Sequence, residues 1–104
     1  MEKFDTVRSE VLNDANELIH GDRQAQYGPP DENFQNISKL WSVRFKHLLR
    51  EGVEFTAADV AVAMALLKIG RDMQGYNYDS AVDGAGYLAL YAEIKHHETH
   101  GVNE

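Results

Sequence analysis

Asp79 and Asp83 stand four residues apart, and Tyr87 follows four further on. On a helix that spacing puts all three on one face, so the two carboxylates repel unless a cation stands between them. A hard, oxygen-seeking ion such as magnesium meets that need, with phosphate oxygens completing its shell. The same stretch also reads as a helix start, because Ser80-Ala81-Val82-Asp83 has the form of a capping box and the helix dipole favours acids there. Lys68 and Arg71 lie three apart, where an apolar run turns polar. Arginine grips a phosphate bidentately and lysine as a point charge. Cations near a helix C-terminus are equally served by the dipole, and both readings stand.

A second concentration of chemistry lies in the stretch GDRQAQYGPP, residues 21–30, between two helical segments. Tyr27 can stack on a base or ribose, Asp22 can accept hydrogen bonds from a base edge or sugar, and Arg23 can pair with phosphate. Gly28 permits a backbone conformation that other residues avoid, and Pro29-Pro30 stiffens the turn. An internal Asp22–Arg23 network pinning two helices is the alternative. Glu10, Asp14 and Glu17 form a carboxylate ladder of the kind that is usually a solvated face. Glu17, nearest the loop, is retained as a metal-ligand candidate. The run HHETH, His96 to His100, fails the zinc-protease pattern, which requires a histidine where Gly101 stands. His96 and His100 have a spacing that could pick up metal adventitiously, but a frayed, exposed tail is expected over 96–104.

The elements that must position these residues are helices. Phe4, Val7, Val11, Ala15 and Leu18 recur at spacings of three and four, with Gly21 as the terminator. A second stripe, Phe34, Ile37, Trp41, Phe45 and Leu48, follows Pro29-Pro30-Asp31-Glu32 and ends at Gly52. The third segment opens with a Thr56–Asp59 capping box and is apolar on almost every face through Val60–Leu67, which makes it the expected central helix or subunit interface. The fourth carries Val82, Ala85, Ala89 and Ala92 on one face, with Gly84 to Gly86 leaving room for close approach of another helix. Nothing reads as a strand. The expectation is one all-α domain over 1–104, a compact four-helix bundle with its core at about 4–95.

Composition narrows the function. The chain has 104 residues, a net charge of −7 and no cysteine. The acidic balance argues against a general nucleic-acid binder, and the missing cysteines remove disulfides and thiolate metal sites. No signal-peptide pattern and no apolar run of bilayer length are present. These features fit a cytoplasmic protein. A glycine-rich phosphate loop and a nucleophile-elbow serine are also lacking, leaving metal-assisted or purely binding chemistry.

Taken together, GDRQAQYG, ENFQNISKLW, MALLKIGRD and DSAVDGAGY resemble a family of small phage and prophage proteins, in the same order from about Val11 to Glu93. That likeness implies action in a bacterial host cell. More distantly, Lys68-Ile69-Gly70-Arg71 followed by Asp79, Asp83 and Tyr87 resembles the second half of MazG-like all-α nucleotide pyrophosphohydrolases. Those enzymes hold magnesium through carboxylates on two helices and cleave nucleoside triphosphates to monophosphate and pyrophosphate. Their Asp four before Tyr falls on Asp83. Their Glu-Glu-x-x-Glu cluster is missing, with Glu32 near the expected place and Asn33 and Asn36 in neighbouring acidic slots. The resemblance implies a magnesium site of Asp79 and Asp83 with Glu17 or Glu32. It assigns Asp83, Lys68 and Arg71 to catalysis and Asp22, Arg23, Tyr27, Tyr87 and Trp41 to ligand contact. A homodimer or higher oligomer is expected from the apolar third helix and from this likeness. The alternative is a non-catalytic nucleotide-binding protein, an anti-defence sponge, or a regulator of a host protein.

Overall fold

Among the described residues, three of four α-helices begin at a side chain suited to cap them. Thr6 accepts from the Ser9 amide, Thr56 and Asp59 bond each other's amides reciprocally, and Asn77 accepts from the amides of Asp79 and Ser80. The other starts with Pro30 in its first turn, followed by Asp31 and Glu32, where a missing N–H costs nothing and acids meet the positive end of the dipole. The computed structural model describes residues 6–21, 26 and 28–101. The helices are α1 (Val7–His20), α2 (Pro30–Arg44), α3 (Ala57–Arg71) and α4 (Tyr78–His100), with 3₁₀ turns at Lys46–Leu48 and Asp72–Gln74. No strand occurs among the described residues.

The chain is all-α, as expected; α3 supplies four of the seven core residues, and α4 is the helix that touches the other three helices. α4 packs along α3, against α1 and, more lightly, against α2, while α2 also packs on α3. The core joins Phe34 of α2, Ala57, Ala58, Val60 and Ala61 of α3, and Leu90 and Ile94 of α4. Most of these α3 residues are alanines, so the two helices approach closely over little side-chain bulk. Gly86 serves the same end on the α1 side. A Cβ there would stand 3.1 Å from Cγ2 of Ile19, tighter than ordinary van der Waals contact.

Several expected stripes are displaced. On α3 the inward face is Val60, Ala61 and Ala65, whereas Leu66 and Leu67 are 62% and 47% exposed; Val60–Leu67 is therefore not uniformly central. On α4 the buried positions are Ser80, Val82, Gly84, Gly86, Leu90 and Ile94, and Ala89 and Ala92 face outward. The four-residue repeat Val82-Gly86-Leu90-Ile94 was masked in the sequence by its glycine. On α1, Val7 and Leu18 are exposed, while Ala15 is buried and Ile19 packs on the core; Phe4 lies outside the described residues. α2 ends at Arg44 rather than at Gly52, which instead takes a φ of 80° in the following turn. Of the tail expected to fray, residues 96–100 are helical, and residues 102–104 lie outside the described residues. α4 continues to His100, held by Ile94 in the core and by His97 against Asp31 of α2.

The fold leaves much surface uncovered. Its Cα radius of gyration is 15.4 Å, against roughly 13 Å for a globular domain of this length. Its accessible surface is 7656 Å², against about 5,900 Å² for a folded monomer of this mass. Among the described residues, no helix is long and apolar enough to cross a membrane.

Ala61, fully buried, tests the core directly. Ala61→Asp places an unpaired charge at the α3–α4 contact and is expected to cost several kcal/mol, enough to abolish cooperative unfolding in urea followed by circular dichroism. Leu66→Asp, at an exposed position, is expected to keep the helical spectrum.

Candidate functional site

α3 and α4 are consecutive and joined by the short Asp72–Gln74 turn, so the C-terminal end of one meets the N-terminal start of the other. Cations are favoured at the first and acids at the second. The local sequence follows that rule, with Lys68 and Arg71 in the last turn of α3 and Asp79 in the first turn of α4. Lys68, Arg71, Tyr76, Asn77, Asp79 and Asp83 line one open cleft of about 490 Å³ at this joint. Lys68 Nζ lies 3.1 Å from Asp83 Oδ2, both side chains being partly shielded. The cation that the Asp79–Asp83 spacing demands is thus supplied in part by the chain itself.

The cap at this end settles one ambiguity. Asn77 Oδ1 accepts from the Asp79 amide at 2.8 Å and the Ser80 amide at 3.4 Å. Ser80 lies inside the helix, so the Ser80–Asp83 capping box does not form, and Asp83 turns to Lys68 instead. Asp72, at the end of α3, keeps Oδ1 buried with no hydrogen-bond partner among the described residues. Asn77 and Asp72 were not singled out in the sequence. The run Tyr76-Asn77-Tyr78-Asp79-Ser80 offered Asn77 as a cap two residues before an acid, a signal overshadowed by Ser80.

Other expected members lie elsewhere. Asp22, Arg23 and Tyr27 fall outside the described residues. Glu17 is exposed on α1 and accepts from Asn13 Nδ2 at 3.4 Å, and neither it nor Glu32 lines the cleft. Glu32 follows Asp31, which contacts His97; His97 is 18 residues along α4 from Asp79, about 27 Å at 1.5 Å per residue. Glu32 therefore sits toward the far end of α4, and the four-carboxylate metal set is not assembled. Trp41 packs edge-on against Phe55 at 5.7 Å, and Tyr87 packs against Phe34 with ring centroids 6.2 Å apart. Both flank the core rather than the cleft.

The α1 ladder is more than a solvated face. The Tyr78 hydroxyl donates to Asp14 Oδ2 at 2.6 Å, tying α1 to the start of α4. That hydrogen bond, with burial and the nearby charges of Asp14 and Glu10, raises the Tyr78 pKa far above its ordinary 10.0. A larger groove of about 1110 Å³, between α2 and residues 49–55, is lined by Lys39, Val43, Lys46, Arg50, Val53 and Phe55 among others. No ion pair crosses it among the described residues.

A family model described as a domain of unknown function, DUF6378, matches residues 10–95, and the chain belongs to that family. It is 43% identical over 86 residues to the Gene 55 protein of Mycobacterium phage L5, covering 82% of this chain and 52% of the relative. It is 40% identical over 85 residues to the Gene 55 protein of Mycobacterium phage D29, covering 81% and 52%. The chain thus spans about half the length of these phage relatives. No solved structure matches it.

The Tyr78 contact gives a signed alkaline dependence. The unfolded phenol releases its proton near 10.0 while the folded one retains it, so its stabilisation is complete below that pH and is lost as pH rises beyond it. Urea denaturation at stepped pH is expected to show this loss, and Tyr78→Phe is expected to reduce its slope above pH 10.0.

Proposed function

We propose that this DUF6378 chain is a phage nucleotide-handling protein whose phosphate-binding site is the α3–α4 cleft. The observation that carries the reading is the gathering of Lys68, Arg71, Asp79 and Asp83 around one opening in a chain of net charge −7. An acidic protein that binds a polyphosphate must concentrate its cations locally, and any bound metal must bridge acid and phosphate. The likeness of the Lys68–Tyr87 segment to MazG-like pyrophosphohydrolases supports the same class of ligand and makes magnesium-dependent hydrolysis the leading activity.

The donor set fits magnesium, which commonly uses one or two carboxylates and completes its shell with water and substrate phosphates. Asp79 and Asp83 would hold it, and its chemistry there would be polarisation of a phosphoryl oxygen and acidification of a water. Arg71 supplies fixed positive charge for the phosphate oxygens as negative charge grows on them. Lys68 must divide its charge between Asp83 and the ligand, so phosphate entry draws Nζ away from the carboxylate and frees Asp83 Oδ2. The absence of Glu17 and Glu32 from the cleft lining favours a second reading, nucleotide binding without turnover, in which the same residues sequester their ligand.

A second copy of the chain completes this proposal. Leu66, Leu67, Ile69 and Met73 are exposed around Lys68 and Arg71, and the monomer's accessible surface is larger than its mass requires. Burying those side chains in a two-fold dimer would remove apolar surface from water and wall the open cleft.

Thermal shift and pyrophosphate release, measured together over a panel of nucleoside triphosphates with magnesium, test the site. Stabilisation with release is expected for hydrolysis, and stabilisation without release selects the binding reading. Lys68→Ala or Arg71→Ala should weaken binding by about tenfold or more. Asp83→Ala should abolish its magnesium dependence while keeping the helical spectrum, because Asn77 carries the cap. No shift with any nucleotide would overturn both readings. For the dimer, light scattering is expected to give at least twice 11.7 kDa, and Leu66→Glu to return it toward that value.

A further inference from the structure

At the opposite end of α4 from the cleft, Asp31, Glu93 and His97 each present a ligand atom within 4.8 Å of the others. Glu93 and His97 are four apart on α4 and so share a face, and Asp31 comes from the first turn of α2. We propose that these three residues form a binding site for a first-row divalent transition cation, with zinc the best-matched ion.

The chemistry of the set points to that class. One imidazole and two carboxylates make a mixed nitrogen–oxygen shell, which suits zinc and its neighbours better than an all-oxygen magnesium or calcium site. Its geometry is close to what such an ion requires. With bonds of about 2.0–2.1 Å and a tetrahedral angle, two ligand atoms on one zinc stand about 3.3 Å apart. His97 Nδ1 already lies 3.0 Å from both Oδ1 and Oδ2 of Asp31. Glu93 is exposed, so its carboxylate can close the remaining distance by side-chain rotation without disturbing the core. Ile94, between the two α4 ligands, is 1% exposed and anchors the helical turn that presents them. Three protein ligands leave a fourth position for water or an exogenous group.

The competing explanation is an Asp31–His97 ion pair that merely pins α4 to α2. Glu93 separates the two, because that pair does not need it. His96 and His100, stacked with ring centroids 4.3 Å apart, form the rival metal-binding pair on the same helix. The test is calorimetric titration of the full chain with zinc chloride, repeated with Glu93→Gln, Asp31→Asn and His100→Ala, and checked by visible absorption after cobalt(II) substitution. Wild type and His100→Ala are expected to bind one equivalent with equal affinity and to show the intense absorption of low-coordinate cobalt. Glu93→Gln is expected to lose at least tenfold in affinity while its metal-free melting temperature matches wild type. Equal affinity in Glu93→Gln, loss of binding in His100→Ala, or no saturable binding to wild type would each overturn the proposal.

Discussion

Close approach between α3 and α4 is the constraint on which the rest of the molecule depends. It is made possible by smallness: Ala57, Ala58, Ala61 and Ala65 are all buried on α3, and Gly84, buried on α4, lies opposite Ile69 of α3. Alanine pays no side-chain entropy on burial and favours the helix, so the contact is inexpensive to order. It also yields little hydrophobic gain per residue. Val60, Leu90 and Ile94 supply bulk from within the pair, and Phe34 of α2 and Ile19 of α1 add more from outside it, so the flanking helices help to cover the hairpin.

The cleft at the joint is a consequence of that hairpin. Joining α3 to α4 through a single tight turn brings a helix C-terminus beside a helix N-terminus, and the partial charges of the two ends select cations for one and acids for the other. Lys68 and Asp83 meet because each lies about a turn inside its helix, where the two axes are near enough for a 3.1 Å contact. Their charges are only partly shielded from solvent, so the pair can be remodelled by a ligand at modest cost. The far end of α4 has the reverse logic. There α2 starts as α4 ends, and Asp31 reaches His97, giving the molecule two separate clusters of titratable groups along one 23-residue helix.

Helix existence was legible in the sequence because periodicity and caps agreed, most clearly at Thr56–Asp59, where both reciprocal hydrogen bonds form. Which face of each helix turns inward was less legible. An alanine-rich helix has apolar residues on every side, so Leu66 and Leu67 looked as central as Val60; only the position of α4 distinguishes them. Lys68, Arg71, Asp79 and Asp83 could be grouped from sequence because their separation is short and the connection between their helices is a turn. Glu32, Trp41 and Tyr87 could not be excluded in the same way, since their placement depends on α2 running back along α4. The Asp31–His97 contact spans 66 residues and leaves no local signal at all.

Amide chemical-shift mapping locates ligand recognition without presupposing turnover. A uniformly ¹⁵N-labelled sample titrated with a nucleoside triphosphate and magnesium is expected to show its largest perturbations between Lys68 and Asp83, converging on the residues that line the α3–α4 cleft. Perturbations confined to the groove between α2 and residues 49–55, with residues 68–83 unmoved, would contradict recognition at that cleft.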